Sequence, residues 1–242
     1  MRATTQNQSL PFRRVSIDEI MTSCVCEAKS YLIHQLKQVP GRAQATSMTL
    51  SAARELVIEG LPTGRFPGRS KIEQVLRRAL KNIDYEDKDK HFEKLLDLLE
   101  SIGNVMALFE LKIIGGAIPV EIAYDGIIVT GVCDGVVEDT KRGYRHPLVI
   151  DMSLTRYEPQ YNPILYRCDV VSSFYNAERA GVSPCVVTHK TRWFYQHTYY
   201  HPYLYTSISE RAKMLLDNYS PFRFGWWCSG CEFRGSCFKL IE

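Results

Sequence analysis

Three thiols fall within ten residues near the end of the chain, in Cys228-Ser-Gly-Cys231-Glu-Phe-Arg-Gly-Ser-Cys237, directly after Trp226 and Trp227. A CxxC turn aims two sulfurs at one point, and the third follows on a short loop loosened by Gly235. A four-coordinate iron–sulfur or zinc site needs one more ligand, and the tail offers none. The obvious donor is the Cys24-Val-Cys26 pair near the other end. Closure over that distance would tie both chain ends around a cofactor and leave the middle as a separate working core. The plainer alternative is a set of buried, reduced cysteines, because free Cys is among the most buried residue types.

The chain has eight Cys and starts Met1-Arg-Ala-Thr-Thr-Gln, without the apolar core of a secretion signal. Reduced thiols and metal ligands are therefore expected rather than disulfides. No apolar run approaches the roughly 20 residues of a membrane span, so no membrane contact and a cytoplasmic location are expected. With 242 residues, 45% of them hydrophobic, the chain can build one sizeable core. Its formal net charge of +3 is too small to imply a polyanionic partner, and local basic runs carry that question instead.

Hydrophobic periodicity predicts helices first and strands later. The opening fifteen residues are polar, and loose order is expected there. Ser16 reads as the N-cap of a helix running to about Gln38 and carrying Cys24, Cys26, Lys29 and Tyr31, with Pro40-Gly41 as its stop. Helices are predicted over 47–60 and 69–82, around the breaker-rich segment 61–68. From Asp87 to Ile102, Phe92, Leu95, Leu96, Leu98 and Leu99 supply one apolar face, His91 lies in the first turn, and Gly103 reads as the terminator. Segments 105–113, 119–124, 126–137 and 146–152 read as strands. A helix over 161–180, a strand over 185–194 and a helix over 205–217 complete an α/β arrangement without internal repeats. The corresponding division is a helical region 1–104, a core 105–218 and a cysteine segment 219–242.

Within the strand cluster, Gly131-Val-Cys-Asp134-Gly and Leu148-Val-Ile-Asp151-Met-Ser153 each place a carboxylate near the end of an apolar strand. A buried Asp is costly unless it is paired or binds a metal, so two on neighbouring strands point to one shared divalent cation. The competing reading makes each an ordinary turn Asp following a strand.

The order of N-terminal Cys, Gly-x-x-Asp134, Asp151 on the next strand, helix and strand, then CxxC with a third Cys resembles the iron–sulfur branch of the RecB-like PD-(D/E)XK nucleases. It is most similar to the CRISPR-associated RecB-like exonucleases of spacer acquisition. Cys26-Glu-Ala-Lys29-Ser-Tyr31 resembles their opening Cys-x-x-Lys-x-Tyr helix, which favours Cys26 over Cys24 as the first ligand. The resemblance implies a restriction-endonuclease-like α/β core, preceded by a helical segment and closed by an iron–sulfur staple. It further implies a 4Fe-4S cluster on Cys26, Cys228, Cys231 and Cys237, and Mg²⁺ or Mn²⁺ on Asp134 and Asp151, with His91 as an upstream metal ligand. The implied reaction is metal-assisted phosphodiester hydrolysis at single-stranded DNA or DNA ends, alongside a CRISPR integrase complex. Ser153 stands where the (D/E)xK motif carries Lys, and a hydroxyl cannot supply an ammonium's charge. Arg156 and Lys190 are the candidate replacements. The downstream Gln-x-x-x-Tyr helix motif is missing in recognisable form; Arg167, Asp169 and Tyr175 occupy the expected helix.

Two segments mix cations with aromatic rings, as a groove for single-stranded nucleic acid does. One is His189-Lys-Thr-Arg-Trp-Phe-Tyr195, and the other contains Arg65, Arg69, Lys71, Arg77, Arg78 and Lys81. The bland reading is a solvated helix face and half-buried strand residues. Three functional readings follow: an iron–sulfur DNA exonuclease, a catalytically weakened relative that binds DNA or a protein partner, and an unrelated zinc-stapled protein.

Overall fold

The computed structural model describes residues 13–152, 164–176, 184–188, 193–195, 202–217, 228 and 231–239. Residues 1–12, Ser153, Arg156 and the 189–192 segment with Lys190 lie outside them. The architecture is mixed α/β, with two sheets. Strands β1 (Arg13–Ser16), β4 (Ile127–Cys133) and β3 (Ile118–Tyr124) form the smaller sheet in that order, with β1 parallel and β3 antiparallel to β4. The larger sheet has the order β2 (Leu111–Gly115), β5 (Gly135–Asp139), β6 (Tyr144–Asp151), β7 (Cys185–Thr188), β8 (Trp193–Tyr195). Only the β6–β7 pair in it is parallel, and helix α6 (Ile164–Asn176) lies in the connection between them.

Alternation along β6 assigns its two faces. Leu148 and Ile150 pack with helices α3 (Gly41–Gly60), α4 (Arg69–Leu80) and α5 (Lys88–Leu108), whereas Val149 packs toward α6 and the smaller sheet. Val186 and Val187 on β7 repeat this division. The strands at the centre are therefore buried on both sides, which accounts for their near-continuous apolar runs. The two apolar clusters are two faces of one sheet, and the helical segment 41–108 is packed on that sheet rather than set apart. The boundary expected at residue 104 falls inside α5.

Several expected elements are present with shifted ends. Ser16 caps α1 (Ile17–Val25), its hydroxyl accepting from the Asp18 amide at 3.2 Å, and Asp18 and Glu19 complement the helix dipole. The helix does not run on to residue 38. It breaks at Cys26, whose φ of −159° and ψ of 114° are extended, and resumes as the short α2 (Glu27–Ser30) and a π-helical turn, Tyr31–Gln35. Gly103 lies within α5 instead of ending it. A Cβ there would come within 2.9 Å of Phe66 Cδ1, so the residue provides a notch for the 61–68 loop. Consequently residues 105–108 are helical, and the strand expected from 105 starts at Leu111. Helices α7 (Pro202–Asp217) and α8 (Arg234–Lys239) complete the described chain.

Candidate functional site: an ion-paired acid centre and a cysteine frame

The stretch expected as one strand over 126–137 is two, and Asp134 occupies the break between β4 and β5 where the chain passes from the smaller sheet to the larger. Its amide donates to Leu148 O at 2.9 Å, and its Oδ2 accepts from the Ile150 amide at 2.6 Å. Asp134 thus bridges to β6 from inside the protein. The next residue must be small: a Cβ on Gly135 would lie 2.7 Å from Val57 Cγ1 on α3 and 3.0 Å from Gly115 O.

This close approach of α3 also delivers Arg54, one turn before Val57. Its Nε donates to Asp134 Oδ1 at 2.7 Å, and Arg167 Nη2 on α6 donates to the same oxygen. Arg167 is 2% exposed and also donates to Val132 O, through Nη2 at 3.0 Å, and to Ile150 O at 3.4 Å. Burial acts to lower the pKa of Arg167, but the charges of Asp134 and then Asp18 outweigh it and hold the guanidinium above its ordinary range. A fully buried carboxylate is tolerable here because two cations and an amide satisfy it. Asp151 ends β6 one residue after Ile150 and is also buried. Together with Asp134, Asp169 and Arg167 it acts on the Cys168 thiol, whose pKa is raised foremost by burial.

His91 is placed differently. It is buried at the start of α5, its Nδ1 2.6 Å from Tyr85 Oη, and burial, then Arg42 and Lys94, lower its pKa. Among the described residues no three His, Cys, Asp or Glu side chains are grouped so that they could hold a metal ion. His91, Asp134 and Asp151 therefore do not form a ready three-ligand site. Arg54 was not singled out in the sequence. The signal was a cation between buried Ala52 and Ala53 on one side and buried Leu56 and Val57 on the other.

The two segments that carry the spaced cysteines meet through Lys29 and Phe233. At the break between α1 and α2, Cys26 Sγ accepts from the Lys29 amide at 3.4 Å. Lys29 Nζ lies 5.2 Å from the centre of the Phe233 ring, between Cys231 and Cys237 in sequence. The Cys237 thiol is pushed up by burial first and then by the charges of Cys26, Cys228 and Cys231. Cys24 faces elsewhere: burial raises its pKa most, and its other influences are Arg211 and a hydrogen bond with Tyr166, a residue paired with Ser207 across α6 and α7.

The basic segment is largely charge-balanced. Arg69 pairs with Glu93, Asp97 and Glu100, Lys71 with Glu59, Arg78 with Glu55, and Arg77 with Glu73 while covering the Phe92 ring. Most of these pairs tie α4 to α3 and α5. Two adjoining clefts of about 570 and 620 Å³ share Thr63, Arg65 and Phe66 beside this segment.

The fold and site define a mixed α/β protein with a buried, ion-paired acid centre. No family model matches the chain, and no curated protein is similar to it. A solved structure titled "Crystal structure of SSO0001" is similar over 98% of this chain and 89% of that one, at 14% identity and a TM-score of 0.43. Among the described residues no helix is long and apolar enough to cross a membrane.

Proposed function

We propose that this chain is an iron–sulfur-stapled protein of the RecB-like PD-(D/E)XK type, acting on single-stranded DNA or DNA ends in CRISPR adaptation, with its hydrolytic centre suppressed. What supports the reading is the contact between the two segments that carry these thiols, Lys29 lying over Phe233, together with the electrostatic influence of Cys26, Cys228 and Cys231 on Cys237, while Cys24 lies beside Tyr166. Those four thiols would hold the 4Fe-4S cluster, which when bound supplies cross-linking of the chain ends. A single tetrahedral zinc draws its sulfurs to about 2.3 Å. Iron–sulfur and zinc both draw on such thiols, and the metal content of the protein separates them.

The acid centre favours a weakened nuclease over a fully active one. Asp134, at the break before β5, and Asp151, at the end of the neighbouring β6, are both buried, but Asp134 already binds two guanidinium groups and one amide. Mg²⁺ or Mn²⁺ does not fit that arrangement as it stands. Ser153 also supplies no charge at the motif's Lys position. The test is cleavage of end-labelled single-stranded DNA with Mn²⁺, together with iron analysis and binding of the same DNA. Bound iron, DNA binding and slow or undetectable cutting are expected. Stoichiometric zinc without iron would overturn the cluster, and rapid cutting lost in Asp134→Ala would replace the weakened reading with the active one.

A further inference from the structure

We propose that Arg54 is a built-in competitor for the divalent cation, occupying Asp134 in the resting protein so that metal enters only when this guanidinium is displaced. The inference rests on the acid-centre reading above and names what holds that centre closed.

The two cations on Asp134 are not equivalent. The Arg167 side chain is 3% exposed and is anchored to the backbone carbonyls of Val132 and Ile150 as well as to Asp134. It is part of the wall. The Arg54 side chain is 20% exposed and comes from α3, 80 residues away in sequence. Among the described residues its side chain is held by Asp134. If one cation leaves, it is Arg54.

Charge balance makes the competition direct. Arg54 and Arg167 already bring two positive charges to Asp134, so a divalent ion added there would be opposed by both. Releasing Arg54 to solvent removes one of these charges and frees a lone pair on Oδ1. A hard divalent cation needs that oxygen, because carboxylate oxygens are its preferred ligands. Arg54 belongs to a helix that also packs on Gly135, so movement of α3 would change cation access and the chain's sheet crossing together.

The test uses the full chain and Mn²⁺ alone, with binding followed by loss of the free-ion electron paramagnetic resonance signal. Wild type is compared with Arg54→Gln, which keeps a neutral donor, with Arg54→Ala, and with Arg54→Gln combined with Asp134→Asn; circular dichroism checks that each is folded. Both single variants are expected to bind Mn²⁺ about tenfold more tightly or better, a change corresponding to ~1.4 kcal/mol. The double variant should lose that gain. Unchanged affinity in both single variants, with binding still dependent on Asp134, overturns the role of Arg54 and leaves the acid centre intact as a metal site. A gain that survives in the double variant, or no Mn²⁺ binding in any variant, overturns the acid-centre reading and this inference with it.

Discussion

The acid centre and the cysteine frame treat charge in opposite ways. Around Asp134 the protein supplies its own counter-cations, and the carboxylate is completely buried. Around Cys237 it gathers groups that would carry the same sign if ionised, leaves them partly exposed, and raises the thiol pKa. The first region is complete without a ligand. In the second, burial and the neighbouring thiols favour the protonated form of Cys237. An internal ion group resists an incoming cation, whereas a set of thiols invites one, since each loses its proton on binding.

The largest expected effect tests the first half of this comparison. Asp134→Ala leaves the buried Arg167 guanidinium without its anion, and breaking a buried pair in this way typically costs ~3–5 kcal/mol. Urea unfolding should show a lower midpoint in this variant. A midpoint equal to wild type would mean that the ion group contributes nothing to the fold.

Next in size, Cys231→Ala should lose iron and visible absorbance and melt at lower temperature, because binding energy at such a site is also folding energy. Cys24→Ala should retain its iron, since that thiol is directed to Tyr166. Equal iron loss in both variants would break the assignment of Cys26.

The pH dependence of the cysteine frame should depend on its cofactor. In the cofactor-free protein Cys237 has a folded pKa above the ordinary value of 9.0, so the stabilisation is complete below that value. It is lost as the pH rises through the folded pKa. Cys237→Ser should flatten this alkaline decline. With the cofactor bound the thiolate is the stable form, and stability should instead fall with acidification. His91 supplies an internal contrast: burial lowers its pKa below 6.5, so stability is lost as pH falls from 6.5 through the folded value, and His91→Gln should reduce that acid loss. Parallel urea titrations across pH measure both.

The smallest effect is expected from Arg78→Ala, which removes the pair with Glu55 across two exposed side chains. Pairs of this kind are worth roughly 0.2–1 kcal/mol. A loss as large as that of Asp134→Ala would show that exposure does not separate the two kinds of ion pair.

Features that depend on neighbours in sequence were legible without coordinates. The Ser16 cap and the apolar face of α5 follow from local chemistry. Gly103 misled because its role is set by Phe66, 37 positions away in the chain and invisible to a local terminator rule. The cysteine spacing identified candidate ligands, yet the separate surroundings of Cys24 and Cys26 arise from the break in α1 and the packing of α6. Asp134 was legible as a residue of interest, but its partners were not. Arg54 lies 80 residues upstream and Arg167 33 downstream, and a charge can be buried only where the folded chain brings its counter-charges together. Residue types and periodicity therefore defined the mixed α/β class and the candidate groups, while long-range packing determined which side chains each group meets.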